Sequence, residues 1–153
     1  MPKRAVWVLV ADGGRARVHS IVGGELDASP VFEREGPHLR SRDIGADRPG
    51  RTFAAAGSVR RSAIDPKQPL DDTEERRFLA TIAEDLDRQH QQRAFDGLVL
   101  VAAPRALGTL RAMLTPRLSR ALIATSDRDL VRRPVAALRK HLAALDGVHI
   151  TKT

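Results

Sequence analysis

Carboxylates at the ends of apolar stretches are where a sheet would gather metal ligands. Here Asp12 follows Ala5–Ala11, Asp96 precedes Gly97–Ala103, and Asp127 and Asp129 follow the short stretch Arg120–Thr125. Carboxylates converging from separate elements hold paired metal ions that activate water, the chemistry of a metal-dependent nuclease. The spacing works against it. If the strands next to Asp12 and Asp96 run parallel, these two residues lie at opposite strand ends, about 17–20 Å apart. Asp127 is then left to share an edge with Asp12, which makes only a pair. Asp12 also stands directly before Gly13-Gly14, where an Asp side chain builds a turn. The turn role is the one expected of it.

The other chemistry-bearing residue types form no site motif. His19, His38, His90, His141 and His149 make no HxH or HxxxH pair, so no metal site is expected and each reads as a surface or strand residue. Cysteine is absent, which excludes disulfides, thiolate ligands and cysteine nucleophiles. No serine sits in a GxSxG context, and no catalytic residue is assigned. Pro104-Arg105 opens a helix directly after an apolar strand, a position where backbone N–H groups favour anions. Arg105 and Thr109 are therefore a candidate anion site, although AAPRALG is not a glycine-rich phosphate loop and no cofactor is implied.

Charge is the stronger signal. The chain carries +7, with 22 arginines and four lysines. Arginine grips phosphate and carboxylate in a bidentate manner, although an Arg-rich composition is also what a GC-rich coding sequence produces. Residues 36–70 hold seven cations, Arg40, Arg42, Arg48, Arg51, Arg60, Arg61 and Lys67, against Asp43, Asp47 and Asp65. More than half of the net charge thus lies in under a quarter of the chain. A cationic segment of this kind neutralises phosphates and releases counterions; the competing reading is a solvated segment that a partner orders. Phe53 is its only aromatic residue and tyrosine is absent throughout, so base stacking is poorly supported and contacts to backbone and shape are expected.

The elements that would position these residues follow from pattern. Ala5–Ala11 is apolar on both faces, as in a central covered strand. Asp12-Gly13-Gly14 turns it into Arg15–Val22, and Gly23-Gly24 turns that into a third strand, Leu26 to Glu35, with Pro30 on an edge. Residues 36–70 read as an irregular loop. Asp71–Glu75 opens a helix whose apolar residues are Phe78, Leu79, Ile82, Ala83 and Leu86. A second doubly apolar strand, Gly97–Ala103, is followed by a helix from Pro104 that ends at Pro116. Arg120–Thr125 reads as a strand and Pro134 starts a last helix, stopped by Asp146-Gly147. Right-handed crossovers and the doubly apolar first strand then predict a mixed five-stranded sheet, order 3-2-1-4-5, with helices on both faces. This is an RNase H-like α/β architecture, one domain over residues 1–153. The longest apolar run has seven residues, too short to span a membrane. Lys3-Arg4 before it imitates a signal peptide, but Asp12–Arg15 stands where a cleavage site should be. No membrane contact and a cytoplasmic location are expected.

FDGLVLVAAPRALGTLR (Phe95–Arg111), LIATSDRDLVRRPVAALRKHL (Leu122–Leu142), VWVLVADGGRARVHSI (Val6–Ile21) and PGRTFAAAGSVRRSAIDPK (Pro49–Lys67) together resemble the bacterial host attachment protein family. The resemblance covers residues 5–145 and implies a role in attachment of bacteria to host surfaces without supplying a molecular mechanism. The order of elements, with Gly97-Leu98-Val99-Leu100, also resembles the middle domain of archaeal and eukaryotic peptide-chain release factors. There the basic loop carries a GGQ motif that enters the peptidyl-transferase centre. Here residues 36–70 contain no adjacent glycine pair, and Gln68 stands between Lys67 and Pro69, so that chemistry is not carried over. The leading expectation is a non-enzymatic RNA- or ribosome-binding module. The second is an adaptor with a protein partner in host attachment, and the third is a metal-dependent nuclease.

Overall fold

The computed structural model describes residues 4–36 and 67–151, with side chains from Thr73 onward in the helix that begins at Lys67. Arg40, Arg42, Arg48, Arg51, Arg60 and Arg61 lie outside the described residues. The strands are β1 (Ala5–Ala11), β2 (Arg15–Val22), β3 (Glu25–Leu26), β4 (Phe32–Glu35), β5 (Gly97–Ala102) and β6 (Leu122–Ser126). The helices are α1 (Lys67–Gln91), α2 (Pro104–Met113), α3 (Pro116–Ala121) and α4 (Val135–Ala143).

The two strands that are apolar on both faces pair in parallel at the centre, Val6 opposite Gly97 through to Ala11 opposite Ala102. Their alternation divides the core. Trp7, Leu9, Ala11, Leu98, Leu100 and Ala102 face α1, α2 and α3. Val8, Val10, Val99 and Val101 face α4. A fully buried valine or leucine contributes about 1.5–3 kcal/mol, so a polar residue at any of these central positions would break one of the two layers. On the first face the Trp7 ring stacks on Phe95 at 4.7 Å between centroids. The sheet order is β3-β2-β1-β5-β6, with β4 also on β2, and helices cover both faces, as the pattern predicts.

Three boundaries differ from expectation. The predicted third strand is two short ones, β3 and β4, which pair with different halves of β2 and make the sheet six-stranded. Pro30 lies in the gap, where no ladder N–H is required, and Val31 N–H donates to the Val18 carbonyl at 2.6 Å to re-enter the sheet. Next, α1 begins at Lys67 instead of Asp71, because Pro69 suits a first turn, whose N–H groups have no helical acceptor. Lys67 therefore belongs to the helix. Finally, Pro116 opens the short helix α3 and does not simply end α2. Thr115 caps it by accepting from Leu118 N–H at 3.2 Å, and Arg120 and Ala121 belong to this helix and not to β6.

Candidate functional site at the carboxyl edge of the sheet

β1, β5 and β6 run parallel, so their C-terminal ends share one edge. In sheets of this kind ligands gather at that edge. The β1–β2 turn, the start of α2 and the residues after β6 all lie there.

The turn is built as its sequence dictates. Asp12 Oδ1 accepts from the N–H groups of Gly14 and Arg15, each at 2.8 Å. The chain leaving β4 is tied to the same turn, since Gly36 N–H donates to the Gly14 carbonyl at 2.8 Å. The Glu75 side chain of α1 lies over Gly13 so closely that a Cβ there would sit 2.5 Å from the Glu75 carboxyl carbon. Gly36 and Glu75 thus both reach this turn. Asp96 is at the opposite end of the sheet, where its carboxylate accepts from Ala5 N–H at 3.1 Å, and Asp127 and Asp129 are exposed. Among the described residues no three His, Asp or Glu side chains form a group able to hold a metal ion.

A groove of about 810 Å³ opens between β2, β4 and the N-terminal half of α1. Among the described residues, Arg15, Arg17, Arg34 and Arg77 line it together with Glu33, Glu35 and Glu74. Several of these guanidinium groups are held by the protein itself. Arg15 pairs with Glu35 at 3.4 Å. Arg34 pairs with Asp85 at 3.0 Å and lies over the Phe32 ring. Arg17 donates through Nη2 to the carbonyls of Leu130, at 3.2 Å, and Arg133, at 2.7 Å. Its Nε–H is buried with no partner, and burial pushes its pKa down against the pull of Glu33.

The candidate anion residues sit on α2. Arg105 is exposed at its second position and Thr109, one turn later, is half-buried. Ala103 precedes the helix without a side-chain cap.

Two histidines have roles the sequence did not disclose. His19 is 1% exposed. Its Nδ1 lies 2.9 Å from the Asp27 carbonyl, which can only accept, so the proton is on Nδ1 and Nε2 is a buried lone pair with no partner. Burial pushes its pKa down, and nearby Arg17 adds to this, while Asp27 and Glu33 oppose. His141 on α4 places Nε2 2.7 Å from Ser126 Oγ at the end of β6. Its pKa is lowered by burial and then by Arg128. No sequence motif joins these two residues; a sheet-to-helix contact between positions fifteen apart is visible only in the fold.

The architecture is thus a mixed α/β fold with a mixed-charge groove between β2, β4 and α1. Over residues 7–142 the sequence matches the family described as "protein required for attachment to host cells", and the chain belongs to that family. No curated protein matches it significantly. Among solved structures it is similar to the archaeal translation termination factor aRF1, with 13% sequence identity and a TM-score of 0.49. The match covers 89% of this chain and 34% of that one, so the chain spans about a third of that factor's length. No described helix is long and apolar enough to cross a membrane.

Proposed function

We propose that this member of the host attachment family is a cytoplasmic RNA- or ribosome-binding module. Arg48, Arg51, Arg60 and Arg61 make its main phosphate contacts, Arg40, Arg42 and Lys67 add to the field, and Arg105 with Thr109 supplies a second anion contact. The observation that carries the reading is the concentration of seven cations against three acids in residues 36–70, where the protein's charge is otherwise nearly balanced. The tie from Gly36, where that segment begins, to the β1–β2 turn at the carboxyl edge supports it. Four phosphate contacts give a log–log salt slope of about −3, so affinity for a structured RNA falls roughly 50- to 100-fold between 50 and 200 mM salt. Fluorescence anisotropy with the full chain measures this. Replacing the four arginines by alanine flattens the slope; wild-type affinity that ignores salt, or survives that replacement, overturns the reading.

A protein-binding adaptor is the second reading, favoured by the family's description and by the groove's mixture of arginine and glutamate. It predicts a partner whose binding is lost when Glu33→Arg and Glu74→Arg reverse that pattern.

A further inference from the structure

We propose that Ser126 is a nucleophile toward ester acyl groups and that His141 is its general base. The inference is independent of the binding role above. It starts from register. Ser126 is the last residue of β6 and lies opposite Val101, so it shares the sheet face of Val99, Val101 and Ala124, the face covered by α4. His141 sits in the last turn of α4, directly before the fully buried Leu142. The pairing brings a hydroxyl and an imidazole nitrogen to 2.7 Å in a partly buried position at the carboxyl edge. That separation is what proton transfer from a nucleophile to its base requires.

The surroundings favour the reactive protonation state. Burial and the Arg128 cation both hold the imidazole neutral near pH 7. In the Nδ1–H tautomer, Nε2 accepts the hydroxyl proton, and the oxygen is poised to attack. The same Arg128, two residues beyond Ser126, is exposed, and its cation acts on His141 through space. Among the described residues no carboxylate is bonded to His141 Nδ1, so this is a dyad. Ser126 Oγ bonds to the acyl carbon while its proton passes to His141 Nε2. The ester C–O bond breaks, and the departing alkoxide takes that proton, leaving an acylated serine that water hydrolyses.

A fluorophosphonate probe on the intact chain tests this. Its phosphorus takes the place of the acyl carbon, and fluoride leaves. Mass spectrometry should find one adduct, on Ser126, lost in Ser126→Ala. Base catalysis contributes about 10²–10⁴-fold, so His141→Gln, which keeps a hydrogen-bonding side chain but no base, should label at least about 100-fold more slowly. Trp7 fluorescence confirms that each variant is folded, and if Ser126→Ala is not, His141→Gln decides. The proposal is overturned if the native chain labels no faster than the urea-unfolded chain, if other serines take the adduct, or if His141→Gln labels at the wild-type rate. Those outcomes leave the pair as a structural tie between β6 and α4.

Discussion

Replacing Arg17 by methionine isolates what a cation in a strand does for this fold. Methionine keeps most of the aliphatic stem that packs along β2 and deletes the guanidinium. Two bonds from a charged donor are lost, those to the carbonyls of Leu130 and Arg133. Hydrogen bonds to charged groups contribute about 1.5–3 kcal/mol each, and the longer one belongs at the low end, so the gross loss is about 3–4 kcal/mol. Two features reduce it. The Leu130 carbonyl keeps a second donor, Arg133 N–H at 3.0 Å, and Arg133 is exposed, so its carbonyl can turn to water. The substitution also removes the buried, unpartnered Nε–H, which returns roughly 1–2 kcal/mol. The net expectation is a destabilisation of about 1–2 kcal/mol, or about 3–6 °C in Tm for a chain of this size. Circular dichroism and Trp7 fluorescence give the Tm. Hydrogen exchange at Leu130, Val131 and Arg133 reports whether the β6–α4 connection has loosened. An unchanged or raised Tm, or exchange there no faster than in the wild type, would refute the claim that Arg17 pins this connection.

The two perturbed histidines set a pH dependence. Both fold with a pKa below the ordinary 6.5, so between the folded and unfolded values the unfolded chain binds more protons. Stability is therefore complete above pH 6.5, declines as the pH falls below it, and levels off below the folded values. Urea titrations at pH 7.5 and 5 measure the difference, and a stability that rises on acidification through this window contradicts the assignment. At the β1–β2 turn, Gly13→Ala forces the Glu75 carboxylate aside. A surface side chain can swing away, so the cost should be about 1 kcal/mol or less, and Glu75→Ala should cancel it in a double-mutant cycle. A cost that persists in the double mutant would place the strain in the backbone.

The fold was largely readable from sequence because its strongest signals are local. Ala5–Ala11 and Gly97–Ala102 are apolar on both faces, and only adjacent central strands covered by helices on both sides bury both. Asp12-Gly13-Gly14 and Gly23-Gly24 fixed the hairpins, and the Asp12 carboxylate makes the turn bonds that its position before glycine implies. Boundaries set by competing local preferences were harder. Proline can end one helix or open the next. At Pro116 the deciding factor is Thr115, whose hydroxyl both caps α3 and donates to Asp87 of α1 at 2.8 Å. Polar contacts across elements were not readable. In β2 the alternation of Arg17, His19 and Ile21 against Ala16, Val18 and Ser20 looks like an exposed face opposite a buried one. Instead Arg17 bonds carbonyls of the β6–α4 connection, and His19 is buried with its Nδ1 on the Asp27 carbonyl. Nothing in the local sequence records that Leu130 and Arg133 meet Arg17, just as nothing near Ser126 records His141.

Arginines that brace the fold are separable from those proposed to bind RNA by what their loss changes. Among the described residues several arginines serve as internal ties: Arg15 to Glu35, Arg17 to carbonyls, Arg34 and Arg88 to Asp85, and Arg117 toward Asp87. Neutralising one of these changes stability, and any loss of RNA binding that accompanies it would be a consequence of loosened structure. Surface ion pairs contribute only about 0–1 kcal/mol each, so Arg34→Gln should lower the Tm slightly and leave the slope of log affinity against log salt intact. Arg51→Gln should do the reverse, with Tm unchanged and the slope shallower by about 0.7–0.9 for one lost phosphate contact. If the two variants shift the slope equally, the cation field is spread over the whole domain, and the segment at 36–70 has no special claim on the ligand.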